Sequence, residues 1–139
     1  MKKNVYISIK GSQELDGDSD SLEMTTQGSF YNKNGKFYLS YNEGELAGLE
    51  KCRTTLKISP DGTVTMMRRG QTNTHMIFEK GQCHIGHYET PYGDFTITVT
   101  ANDVSVAIDE NGGNIDIDYI MDINNVAQTH NGISLNVRV

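Results

Sequence analysis

Met76-Ile77-Phe78-Glu79-Lys80-Gly81-Gln82-Cys83-His84-Ile85 is the stretch whose reading decides the fold. Apolar and polar residues alternate on both sides of Lys80-Gly81, the period of a half-buried β-strand. Lys80-Gly81 reads as a two-residue hairpin connection that pairs Glu79 with Gln82. This register sets Met76 against Ile85, Phe78 against Cys83 and Thr74 against His87. The apolar faces of the two runs are then in phase. A slip of one residue would send one of them to water.

The same argument extends along the chain. Asn34-Gly35 sets Phe30 against Leu39 and Gly28 against Tyr41. Asn102-Asp103 sets Val99 against Val106 and Ile97 against Ile108. Asn111-Gly112 carries the face onward, with Ile108 against Ile115 and Val106 against Ile117. Pro60-Asp61-Gly62 suits a three-residue loop with a glycine bulge that matches Ile58 to Val64. An odd-length loop at Gly70 brings Met66 onto the face of Thr74 or Met76. Successive hairpins with their apolar faces in phase predict an all-β fold: a single up-and-down antiparallel β-barrel.

Eleven runs read as strands, at roughly residues 4–11, 21–32, 36–43, 51–59, 63–69, 73–79, 82–89, 94–101, 104–110, 113–123 and 130–138. One pair is expected to merge or one run to break up, giving about ten strands. In the first run Val5, Ile7 and Ile9 point inward. Residues 13–21 read as an acidic, mobile loop. Asp16, Asp18 and Asp20 alternate there, but the later Gly and Glu of a calcium loop are missing. Glu45 to Lys51 is the one stretch that reads as a helical turn.

At 139 residues the chain is one domain with a sizeable core. No stretch has transmembrane-helix length, and Met1-Lys2-Lys3 is not followed by a signal-peptide apolar region. The expected location is therefore the cytoplasm, with no membrane partner. Cys52 and Cys83 fall at opposite barrel ends, separated by roughly 20 Å over a six-residue strand, so the expectation is two buried thiols and no disulfide. Net charge is −6 and no basic stripe accompanies the outward Tyr6, Tyr38 and Tyr88, so no nucleic-acid partner is expected.

Thr54-Thr55-Leu56-Lys57-Ile58, Arg68-Arg69-Gly70, Met76 to Gly81, Thr90-Pro91-Tyr92-Gly93 and Asn131-Gly132-Ile133-Ser134-Leu135 occur in an order that resembles the YwiB-like family of small bacterial proteins. That family is similar to the calycins, so the resemblance implies a lipocalin-like barrel; it implies no particular activity. The chain departs from true lipocalins in having no Trp, and hence no Gly-x-Trp strand signature. A transported hydrophobic ligand does not carry over by analogy.

The register also gives the barrel two unlike ends. The turns at Asn34-Gly35, Pro60-Gly62, Lys80-Gly81 and Asn102-Asp103 define one. Its inward residues are Phe30, Phe37, Ile58, Val64, Phe78, Cys83, Val99 and Val104, and it should be packed shut. At the other end the inward phase carries Thr26, Glu43, Thr54, Arg68, Thr74 and His87, a polar arc overhung by the Tyr92 loop. An inward Arg must be wet, paired or liganded.

One reading makes the arc a solvated rim with a Glu43–Arg68 ion pair. The other makes it a ligand mouth, in which Arg68 anchors a small anionic or amphipathic molecule. Glu43 is then its partner when empty, Thr54, Thr74 and His87 are polar contacts, and Tyr92 is a lid. The alternative of another class is a filled barrel acting as a protein-interaction module. An outer row of Tyr and Ile is a candidate homodimer surface.

The enzymatic signals are weaker. His84 and His87 point to opposite faces of a strand, and His75 and His84 share the outer face without companion ligands, so no metal is expected. Glu43 and His87 form a conceivable acid/base pair, but neither a nucleophile nor an oxyanion site accompanies them. Gly44 and Gly48 lack the Lys of a phosphate loop. The expectation is a binding protein with no cofactor.

Overall fold

The computed structural model describes residues 2–15, 17–42, 52–70, 72–123 and 127–139. Its strands are β1 (Lys3–Leu15), β2 (Asp18–Lys33), β3 (Lys36–Asn42), β4 (Arg53–Ile58) and β5 (Val64–Arg69). Then follow β6 (Asn73–Phe78), β7 (Cys83–Thr90), β8 (Gly93–Asp109), β9 (Gly112–Ile123) and β10 (Ala127–Arg138). Each strand pairs with its sequence neighbours, and β1 closes on β10, giving an up-and-down antiparallel barrel of ten strands. Ile7, Leu39, Leu56, Val64, Phe78 and Ile115 are at most 1% exposed and line its axis. No helix among the described residues is long and apolar enough to cross a membrane. The helical turn expected over residues 45–51 lies outside the described residues.

Two turns form as the sequence predicts. Asn34 and Gly35 both take positive φ (55° and 81°), as a tight two-residue hairpin requires, and Phe30↔Leu39 and Gly28↔Tyr41 pair as expected. Residues 59–63 form a loop in which Gly62 at φ 92° donates to the Ser59 carbonyl at 2.9 Å, and Ile58 pairs with Val64. Met66 meets Met76 across the Gly70 loop.

Elsewhere bulges and register shifts change the reading. Asn102-Asp103 is no hairpin: β8 runs straight through it with a bulge between Ala101 and Asp103, so the expected Val99–Val106 and Ile97–Ile108 pairs lie along one strand. A one-residue bulge moves the inward phase from Ile97, Val99 and Ala101 to Val104, Val106 and Ile108. A two-residue turn would leave the same signature in the sequence. The next hairpin turns at Glu110-Asn111, one residue earlier than expected. It pairs Val106 with Ile115 and Val104 with Ile117, a shift of two that keeps the same face. Residues 13–21 are not a loose loop either, because β1 and β2 stay paired out to Leu15↔Asp18 and turn through Gly17 at φ 85°.

The most consequential difference is between β6 and β7. The expected turn exists, with Gln82 N–H donating to the Glu79 carbonyl at 2.9 Å. The ladder, however, reads Asn73↔Glu89, Thr74↔Tyr88 and His75↔His87. Between the Glu79/Gln82 turn and the His75/His87 pair, β6 has residues 76–78 and β7 has residues 83–86, one more. That extra residue flips β7. His84, Gly86 and Tyr88 take the inward phase, opposite Val99, Ile97 and Phe95. Cys83, Ile85 (68% exposed) and His87 face out, so of the two thiols only Cys52 is buried; both are free. Tyr88, expected outward, is half-buried beside Phe95, with ring centroids 6.3 Å apart.

The turns at 34–35, 59–63, 79–82 and 110–111 lie at one end, where Phe30, Ile58, Val64 and Phe78 are buried. Phe30 and Phe37 stack there at 5.3 Å. The end is not sealed flush, because a concavity of about 460 Å³ lies against Phe30, Phe37, Lys3 and Glu110. Near the opposite end the closing seam is fastened on its outside by His130. Its Nε2 meets Asp118 of β9 and its Nδ1 lies 3.6 Å from Glu14 of β1.

Two predictions follow from this packing. A Cβ at Gly86 would lie 2.4 Å from the His75 carbonyl oxygen and 3.1 Å from Ile97, whereas one at Gly11 meets nothing within 4 Å. Gly86→Val should therefore cost about 1–3 kcal/mol in urea unfolding, and Gly11→Val less than about 0.5. The hydrogen bond and charge of Asp118, with Glu14 adding to them, raise the His130 pKa above its ordinary value. The imidazolium thus favours the folded state below the unfolded-state pKa of about 6.5, and this contribution is lost as pH rises through the raised folded value. NMR titration should place the His130 midpoint above the ordinary value of about 6.5, and Asp118→Asn should lower it.

Candidate functional site

Three of the sequence candidates come together on the inner wall. Thr54, Arg68 and Thr74 are paired across β4, β5 and β6, and the row continues to Tyr41 on one side and to Tyr88 and Phe95 on the other. One pair further into the barrel, Leu56, Met66 and Met76 form an apolar row that is 1–6% exposed. A polar layer therefore rests on an apolar floor, because strand alternation repeats the inward phase every second residue.

Within that layer Thr54 is fully buried and Thr74 is 5% exposed. The Arg68 side chain is partly exposed, but its Nε is out of solvent. The Thr74 hydroxyl is buried and has no hydrogen-bond partner among the described residues. Tyr119 of β9 approaches from across the barrel, its ring centroid 4.7 Å from that of Phe78. Burial pushes its phenol up to about 12, and the Arg68 guanidinium pulls in the other direction. The phenol is therefore neutral at ordinary pH, and Arg68 is close enough to act on it electrostatically.

The other candidates separate from this cluster. His87 is exposed on the outer wall opposite His75, not inside opposite Thr74, because of the extra residue in β7. Tyr92 stands at the β7–β8 turn, 96% exposed, as a loop-tip side chain. Glu43 lies outside the described residues, and with it the expected Thr26–Glu43 pair. Sequence reasoning missed Tyr88 as an inner-wall residue. The signal was Gly86, whose lack of a side chain lets β7 approach β6 closely at His75.

His84, expected on the outer face, takes the inward phase near the 79–82 turn, where its Nε2 lies 2.9 Å from Glu79. Among the described residues no group of three or more His, Cys, Asp or Glu side chains is arranged to hold a metal ion. A concavity of about 320 Å³ borders Arg68 and Thr74 on the wall between β5 and β7 and is rimmed by the outward residues Asn73, His75, His87 and Glu89.

Comparison with known proteins agrees with this architecture. The chain is 31% identical over 119 residues to the Bacillus subtilis (strain 168) protein named "Uncharacterized beta-barrel protein YwiB", an alignment spanning 86% of this chain and 82% of that one. The crystal structure of ywiB protein from Bacillus subtilis superposes with a TM-score of 0.84 at 28% identity, covering 99% of this chain and 94% of that one. Residues 7–135, nearly the whole barrel from β1 to β10, match a family described as "Domain of unknown function (DUF1934)", and the chain belongs to that family.

Proposed function

We propose that the barrel binds a small amphipathic or anionic molecule at the polar layer around Arg68. The observation that carries this reading is the Thr74 hydroxyl, buried beside Arg68 and without a hydrogen-bond partner among the described residues. Such a group costs about 1–3 kcal/mol when left unsatisfied, and native proteins normally supply a partner from water or a ligand. Arg68 offers a planar fork of donors suited to a carboxylate or phosphate, and Thr54 adds a second hydroxyl on its other side. Leu56, Met66 and Met76 supply an apolar surface for the body of an amphipathic molecule.

A second reading has its own support. Phe30, Phe78, Met66, Met76 and Tyr119 are all buried and fill much of the barrel below the polar layer. On that reading the interior is structural and the outer face, with exposed Tyr6, Leu22 and Ile85, meets another protein or a second copy of the chain.

Native mass spectrometry of protein purified without denaturation, run beside the denatured sample, separates the two. A bound small mass that disappears in Arg68→Ala is the expected result. A bare protein mass, with a thermal midpoint unmoved by a panel of carboxylates and phosphates, would favour the filled barrel. Thr74→Val removes the unpartnered hydroxyl while nearly keeping its shape. It should leave the ligand-free protein equally stable or more stable by up to about 1 kcal/mol, and weaken the retained ligand.

A further inference from the structure

The extra residue in β7 that takes His87 out of the barrel also sets it directly across from His75 on the outer wall. Residues paired in this way on one face of an antiparallel sheet have Cβ atoms about 4.5–5.5 Å apart, close enough for both imidazoles to reach a single ion. Both histidines are exposed. The chain has four histidines, and the other two are engaged: His84 with Glu79 at 2.9 Å, and His130 with Asp118 and Glu14. Among the described residues neither His75 nor His87 is held by a hydrogen bond or ion pair.

Their surroundings supply further donor groups beside the two imidazoles. The pair rims the concavity of about 320 Å³ together with Met67, Asn73 and Glu89. Met67 is the partner of His75 on the β5 side, and Glu89 follows His87 on the same outward face. Arg68 and Arg69 line the same concavity opposite the single Glu89 carboxylate, so affinity for a metal ion rests on the imidazole nitrogens and not on the local charge. Imidazole favours the borderline ions Cu²⁺, Ni²⁺ and Zn²⁺ over Mg²⁺ or Ca²⁺, and two nitrogen ligands leave the remaining positions to water or to a further donor.

We propose that His75 and His87 chelate one divalent transition-metal ion on the outer wall. The site follows from the β6–β7 register and does not depend on ligand binding at Arg68. Gly86 positions it, since its missing side chain lets β7 lie against the His75 carbonyl.

Calorimetric titration of the whole protein with Cu²⁺ alone, in a non-coordinating buffer, tests the assignment, and the electron paramagnetic resonance spectrum reads out the nitrogen ligands. The expected result is one saturable equivalent whose spectrum carries two imidazole nitrogens. It should be lost in His75→Ala and in His87→Ala and kept in His130→Ala and His84→Ala. Both positions are exposed, so thermal melts of the two deficient variants should match wild type and exclude unfolding as the cause. Absence of saturable binding, its retention in either His75→Ala or His87→Ala, or its loss in His130→Ala or His84→Ala would overturn the chelate.

Discussion

Closure of the sheet on itself is the constraint from which the rest of this structure follows. The β1–β10 ladder, from Tyr6↔Arg138 to Glu14↔His130, removes the two edges that an open ten-stranded sheet would expose. Once closed, the barrel has an inside that water leaves, and every strand must turn alternate residues toward it. A meander achieves this with each strand hydrogen-bonded to its sequence neighbours and β1 to β10. His130, bridging β9 and β1 from its place on β10, adds an electrostatic fastening across the same seam.

Closure makes the phase of each strand a property with large consequences, and bulges are where that phase changes. In β8 the bulge between Ala101 and Asp103 lets one long strand keep its apolar side inward in both halves. In β7 the extra residue before the ladder brings Gly86 and Tyr88 inside and sends Cys83, Ile85 and His87 outside. Gly86 fits this arrangement physically, because any larger residue would strike the His75 carbonyl. The polar layer and the outer histidine pair are thus two faces of one stretch of wall. Thr74 and Arg68 face the axis, while His75 and Met67, their immediate neighbours in sequence, face solvent.

The layer around Arg68 rests on the buried apolar row of Leu56, Met66 and Met76. That placement gives its groups strong mutual influence. The neutral, buried Tyr119 feels the guanidinium, and Thr74 keeps a hydroxyl in a place where water is scarce. A carboxylate or phosphate reaching this depth would meet donors already held in place by their strands.

The sequence by itself determined the class of fold, the meander, the number of strands to within one and the tight turns at Asn34-Gly35 and Pro60-Gly62. Each rests on local physics: strand alternation has a period of two, and positive-φ turns demand Asn or Gly. It also placed Thr54 opposite Arg68, through the loop at Pro60-Gly62, and put Thr74 in the same inward phase, while the Gly70 loop left Met66 facing either Thr74 or Met76. Only the tertiary structure decided the phase of β7, the merging of two runs into β8 and the extension of β1 and β2 past Gln13. At residues 101–104 a one-residue bulge and a two-residue turn shift alternation alike, so alternation does not tell them apart there. Pairing partners settle it: β9 pairs with β8 from Ile97 to Asp109, on both sides of the bulge, and β7 takes its register from β6 at His75 and from β8 at Ile97.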